Sequence, residues 1–266
     1  MASNAKGTAL ITGASSGIGA VYADRLAKRG YDLILVARNE QRLAEVAEQV
    51  GQRTGRKVTT LKADLTKPVD LRRVEGVLRI DSSITALVND AGFGASSKLL
   101  ESNVDEMESM IYLNVTALTR LTYAVAKPFV ERKNGLIVNI ASIVAVAPEL
   151  LNGTYSGTKA YVVNLTQSLH RELSEFGVRV QAVLPGAIET PFWDRAGLPV
   201  KHLPSENVMT ADELVDASLA GLSLGEVVTI PSLPEIADWA AFEQARLALA
   251  PNLSHQHPAA RYGVGA

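Results

Sequence analysis

The chain has 266 residues, 47% of them hydrophobic and 20% charged, with a formal net charge of -2. It is long enough to bury a sizeable core and lacks the basic excess that nucleic acid or an anionic membrane surface would require. With no cysteine, disulfides, thiolate catalysis and Cys-ligated metals are excluded, and the four histidines (His170, His202, His255, His257) show no metal-binding spacing. No apolar run approaches the ~18 residues of a membrane span, and the N-terminus does not read as a secretory segment. The expectation is a cytoplasmic protein with no metal, no nucleic-acid partner and no membrane.

Along the chain, apolar strand-like runs alternate with amphipathic stretches. TALITGA (8–14) runs into three glycines, Gly13, Gly17 and Gly19, and a helical pattern follows over 18–29. DLILVAR (32–38) precedes a helix over 40–53 with Asn39 as its start signal. KVTTLKAD (57–64), a helix over 69–78, TALVNDA (85–91), a long helical stretch over 107–132, GLIVNIAS (135–142), a helix over 155–176, VRVQAVLPG (178–186), a helix over 211–224 and EVVTIPS (226–232) complete the alternation. The runs are rich in Val, Ile, Leu and Thr and apolar on both faces, as strands buried between two helix layers must be. An α/β fold is expected: a single domain over 1–266 built on a Rossmann-type doubly wound sheet of about seven parallel strands with helices on both faces. Two parts break the rhythm. Residues 187–209 are too long and Pro-rich for a simple connection and read as a lid, and 233–266 hold one amphipathic helix and a frayed tail.

A strand ending at glycines that open a helix is the context of a dinucleotide-binding turn. Gly13 permits the tight turn, Gly17 and Gly19 let a pyrophosphate approach the backbone, and the N-terminus of the helix, beginning near Ile18, favours phosphate. Ser15 and Ser16 add hydroxyls within reach of phosphate or ribose. Where NAD sites place a carboxylate at the end of the second strand, this chain has Ala37 and Arg38. An arginine there suits a 2′-phosphate, so NADP(H) is favoured over NAD(H). Tyr155 and Lys159, four apart in a helical segment, share one face; an ammonium there is expected to lower a phenol of ordinary pKa near 10.

TGASSGIG (12–19), DL (64–65), NDAG (89–92), Asn114, Ser142, YSGTK (155–159) and PGAIET (185–190), in this order and spacing, resemble the motifs of the classical short-chain dehydrogenase/reductase family over roughly residues 6–232. The resemblance implies Tyr155 as general acid in reduction and general base in oxidation. Lys159 would hold the nicotinamide ribose, Ser142 would steady the substrate oxygen, and Asn114 would support a water relay to Lys159. It further implies that Asp64 and the adjacent Leu65 meet adenine, that Asn89, Ala91 and Gly92 pass the adenosine ribose, and that Pro185, Gly186, Ile188 and Thr190 face the nicotinamide. Asp90 departs from the family's NNAG, and a changed hydrogen-bond partner is expected for it. Phe93, Val144, Phe192 and Trp193 are expected to wall a mainly apolar pocket for a medium-sized ketone, aldehyde or secondary alcohol. A homo-oligomer, dimer or tetramer, is the expected assembly. Two rival readings are a non-catalytic NAD(P)-binding regulator, which the intact Ser142, Tyr155 and Lys159 disfavour, and an extended epimerase or dehydratase, which the glycine spacing disfavours.

Overall fold

The computed structural model describes residues 6–264, so the extreme N-terminus and the last two residues of the tail lie outside the described residues. Nine strands are described: β1 (Thr8–Thr12), β2 (Asp32–Ala37), β3 (Val58–Lys62), β4 (Ile84–Asn89), β5 (Gly135–Ile140), β6 (Val178–Val183), β7 (Ala187–Ile188), β8 (Val208–Met209) and β9 (Val228–Thr229). The helices are α1 (Gly17–Lys28), α2 (Glu40–Thr54), α3 (Pro68–Ile80), α4 (Val104–Ile111), α5 (Leu118–Arg132), α6 (Gly153–Leu173), α7 (Phe192–Ala196), α8 (Ala211–Leu224) and α9 (Ile236–Ala248). All seven expected strands enter one parallel sheet in the order β3-β2-β1-β4-β5-β6-β9, while β7 and β8 pair separately. The order reverses between β1 and β4, which opens a crevice at their carboxyl ends.

Period-2 alternation sends neighbouring residues to opposite faces, and both faces are apolar. Ala9, Ile11, Leu33 and Leu35 pack under α1, α2 and α8, where Tyr22, Leu26, Leu43 and Leu214 are buried. Leu10, Val36, Leu87 and Ile137 pack under α3, α4, α5 and α6, against Leu71, Val74, Met110 and Phe129. Phe129 is fully buried and its ring occupies the space that a Cβ on Gly135 would need. Phe129→Ala would leave a cavity and is expected to cost about 3–5 kcal/mol, read from the shift in urea midpoint at constant m-value.

Helix ends follow local chemistry. Asn39 Oδ1 accepts from the Arg42 N–H at 3.0 Å at the start of α2, and Thr210 and Glu213 form a reciprocal capping box on α8. Three sequence expectations change in detail. The strands end one to several residues earlier than their apolar runs, because the last residues of each run turn into the crevice. The helix expected over 107–132 starts at Val104 and winds as a π-helical turn over Tyr112–Ala117 before continuing as α5. Such a turn adds one residue without erasing the amphipathic pattern, so periodicity does not reveal it. The stretch 187–209 is not structureless: it contains β7, α7 and β8.

The chain divides into two compact units, Met1–Pro231 and Ser232–Ala266. The first carries the whole α/β fold. The second holds α9, in which no residue is buried and the Trp239 and Phe242 rings stack at 5.2 Å. Among the described residues no helix is long and apolar enough to cross a membrane.

Candidate active site

The glycine turn lies at the crevice. Gly13 has φ 73°, a left-handed conformation that favours glycine, and a Cβ on Gly19 would stand 2.7 Å from the Gly13 carbonyl oxygen, so the turn closes only without side chains. Ser16 is the extended N-cap of α1 but its side chain makes no capping bond, and no acidic residue sits in the first turn. Among the described residues the Gly17 and Ile18 N–H groups have no side-chain acceptor, and with the positive end of the helix dipole they fit a phosphate. Thr190 packs over this turn, its Cγ2 only 3.1 Å from where a Cβ on Gly17 would be.

β4 is tied to β1 by Thr12, which the sequence reading did not single out. Its hydroxyl accepts from the N–H groups of Asp90 and Ala91, both at 3.1 Å, and donates to the Val88 carbonyl at 3.3 Å. The Asp90 carboxylate accepts from the Gly19 N–H and lies against the places where Cβ atoms on Gly13 and Gly19 would go. Burial pushes this carboxyl up to about 7, against the opposing pull of Lys159 and the Gly19 hydrogen bond. Asn89 turns the other way. Its Nδ2 donates to Thr122 Oγ1 (3.1 Å) and Asn139 Oδ1 (2.9 Å), and Asn139 donates on to Thr166 (3.0 Å). Its side chain therefore braces the core between β4, β5, α5 and α6, and only its backbone, with Ala91 and Gly92, faces the crevice.

Ser142 follows β5, and its hydroxyl donates to the Pro185 carbonyl at 3.4 Å and accepts from the Val144 N–H at 3.4 Å. Tyr155 and Lys159 project from the first turns of α6, which Asn152 caps by accepting from the Thr154 and Tyr155 N–H groups. An Asn directly before a helical pattern was the legible signal for that cap. Ser142 and Tyr155 are hydrogen-bonded through their hydroxyls. Burial raises the Tyr155 phenol above its ordinary value, the Ser142 bond lowers it and the Asp90 charge raises it. The expected lowering by Lys159 is not among these influences; the lysine is itself brought down by burial to about 8, with Asp90 holding it up. Lys159 Nζ donates to the Ile140 carbonyl at 2.8 Å and lies 5.7 Å from the Tyr155 ring centroid.

Asn114 sits in the π-helical turn, buried. Its Oδ1 accepts from the Phe93 N–H (3.1 Å), and its Nδ2 donates to the Phe93 carbonyl (2.9 Å) and to Thr158 Oγ1 (3.1 Å). This amide is committed to holding the segment after β4 and makes no bond to Lys159. Both nonetheless converge on Gly92, where a Cβ would lie 2.9 Å from Asn114 Oδ1 and 3.7 Å from Lys159 Nζ.

On the apolar side, the Phe192 ring lies 5.8 Å from that of Tyr155. Trp193 is buried, edge-on to Phe192 at 5.4 Å, and its indole N–H donates to the Ile188 carbonyl at 2.8 Å, so it packs the lid from within. Val144 and Phe93 are also buried. At the far end of the crevice, Arg38 is exposed and makes no side-chain hydrogen bond or salt bridge among the described residues, whereas Asp64 Oδ1 accepts from both the N–H (3.0 Å) and the hydroxyl (2.7 Å) of Thr66. Leu65 is buried in the core beneath α3, and Gly186 and Ile188 continue the chain from Pro185 into β7. The glycine turn, the uncapped start of α1 and the unpaired Arg38 together fit a phosphorylated dinucleotide.

Residues 7–198 match the family model described as short chain dehydrogenase. A short-chain dehydrogenase from Sphingobium yanoikuyae, solved in complex with NADPH, superposes with a TM-score of 0.92 at 49% identity, covering 95% of this chain and 98% of its own. A bulky-bulky ketone specific alcohol dehydrogenase from Comamonas testosteroni superposes with a TM-score of 0.89 at 44% identity, covering 96% and 98%. Human 17-beta-hydroxysteroid dehydrogenase type 3 is 34% identical over 223 residues, 82% of this chain and 68% of that protein. With the family model matched over residues 7–198 and these relatives aligned over most of its length, the chain belongs to the short-chain dehydrogenase family of NAD(P)-dependent oxidoreductases.

Proposed function

We propose that this protein is an NADP-dependent carbonyl reductase or alcohol dehydrogenase acting on a bulky, mainly apolar ketone, aldehyde or secondary alcohol. The observation that carries the reading is the hydrogen-bonded Ser142–Tyr155 pair beside buried Lys159 at the carboxyl end of β5. Gly13 to Gly19 and the start of α1 would hold the pyrophosphate, Arg38 the 2′-phosphate, and Lys159 the nicotinamide ribose. When bound, the cofactor supplies the hydride that reaches the substrate carbon. In reduction, the Tyr155 hydroxyl gives its proton to the substrate oxygen, and Ser142 donates a hydrogen bond to that oxygen as charge develops on it. The Lys159 ammonium then stabilises the phenolate left behind. In oxidation the phenolate takes the alcohol proton. Asn114 acts as a positioning residue through Phe93 and Thr158.

The bulky substrate is supported by the Phe192 ring against Tyr155 and by the specificity named for the Comamonas testosteroni relative. A homo-oligomer belongs to the same reading, supported by the neighbouring exposed side chains of Leu99, Leu100 and Val104. The test is oxidation of NADPH and NADH with a panel of bulky ketones and aldehydes. Turnover with NADPH is expected, and Arg38→Gln should raise the KM for NADPH about tenfold or more while moving that for NADH little. Tight cofactor binding with no turnover in either direction would instead favour a non-catalytic regulator.

A further inference from the structure

We propose that Arg195, carried by the lid helix α7, is a second specificity residue for the cofactor, forming with Arg38 a pair of guanidinium groups that grips the adenosine 2′-phosphate. The inference rests on the NADP reading above and extends it from the sheet edge to the lid.

Lid contacts fix α7 over the segment that follows β4. The Ala196 carbonyl accepts from both the N–H (3.1 Å) and the hydroxyl (2.7 Å) of Ser96, at the end of the helix that carries Arg195. The Arg195 guanidinium lies over the Phe93 ring, its carbon 3.8 Å from the ring centroid. Stacked in this way, a guanidinium keeps its N–H edge free for a planar or tetrahedral oxyanion. Phe93 directly follows the NDAG turn at the end of β4, and the order β3-β2-β1-β4 places Arg38 and Asp64 at the same carboxyl edge.

The electrostatics agree with this placement. Arg195 is held below its ordinary value first by burial and then by the charge of Arg38, with Asp64 and Glu106 pulling the other way. The like charge of Arg38 thus reaches Arg195, and among the described residues neither side chain makes a hydrogen bond or salt bridge. The Asp64 carboxylate, whose charge pulls on Arg195, already accepts two hydrogen bonds from Thr66 through Oδ1. A phosphate monoester carries between one and two negative charges near neutral pH and accepts several hydrogen bonds, which answers both unpaired groups at once. A neutral ribose 2′-hydroxyl does not.

The test uses two nucleotide fragments, adenosine 2′,5′-bisphosphate and adenosine 5′-monophosphate, titrated calorimetrically into the full chain and into Arg195→Gln, Arg195→Lys and Arg38→Gln. Arg195→Gln is expected to weaken the bisphosphate about tenfold or more and to leave the monophosphate within about twofold, with Arg195→Lys intermediate. Retained monophosphate binding also reports an intact fold. If Arg38→Gln discriminates between the fragments but Arg195→Gln does not, or weakens both equally, the Arg195 assignment is overturned and the NADP reading stands. If neither substitution discriminates, the NADP reading itself falls.

Discussion

Tyr155→Phe is expected to lower kcat by about 10²–10⁴-fold in both directions while leaving cofactor affinity and Tm close to those of the parent protein. The ring stays: it is buried, packs against Phe192 and faces Lys159, and none of those contacts uses the hydroxyl. What is lost is the proton that the substrate oxygen must receive and the hydrogen bond to Ser142. Losing one neutral hydrogen bond costs about 1 kcal/mol of stability, since Ser142 keeps its bond to the Pro185 carbonyl. The raised phenol means that Tyr155 holds its proton at neutral pH, the state a general acid needs. Steady-state kinetics alongside a direct cofactor titration checks this. A Phe variant retaining more than about a tenth of parental kcat would remove Tyr155 from the proton transfer.

Asp90→Asn is expected to stabilise the protein by about 1–3 kcal/mol above pH 7, an advantage that shrinks as the pH falls. The carboxyl titrates near 3.8 in an unfolded chain and at about 7 in the folded one. Between those values the unfolded state has released the proton and the folded state still holds it, so stability declines as pH rises through the interval and the full penalty is present above the folded value. Asparagine carries no such charge, and its Oδ1 still accepts the Gly19 N–H. The figure lies below what three pKa units would give, about 4 kcal/mol, because Asp90 retains some solvent contact. Thermal melts at pH 5.5 and 8 test the sign: the Tm gain must be larger at pH 8. A second consequence follows for Lys159, which Asp90 helps to keep protonated at about 8. Without that anion its pKa falls, so the alkaline limb of the kcat/KM profile should move to lower pH. An unchanged limb would mean that the two groups are not coupled in catalysis.

Why an acid should stand at this position is visible only from the fold. NDAG is a departure from the family pattern that the sequence marks without explaining. Thr12 braces the turn through the Asp90 and Ala91 N–H groups, and Asn89 with Asn139 secures the strands below. The carboxylate is thereby left between the glycine turn and Lys159, where it links the charge state of one to the backbone of the other.

The parallel sheet and the shared helix face of Tyr155 and Lys159 were legible in the sequence because each rests on a local rule, whereas Ser142 was marked by the end of its strand and the family resemblance. A continuous apolar run reports a strand buried on two faces, four-residue spacing reports a shared helix face, and Asn39 marks the start of its helix. The π-helical turn around Asn114, the inward Asn89, the burial of Trp193, the raised Tyr155 and the stacking of Arg195 on Phe93 were not. Each depends on a partner far along the chain: Asn139 lies 50 residues from Asn89, and the Ala196 carbonyl that fixes the lid lies 100 residues from Ser96. No periodicity encodes such a meeting, and burial, which sets the titration of Asp90, Tyr155 and Lys159, exists only once the layers have closed. The sequence by itself therefore determined which elements form and which groups of the site they bring together; only the tertiary structure decided how those groups are charged, which of them face the crevice, and that an arginine from the lid joins them.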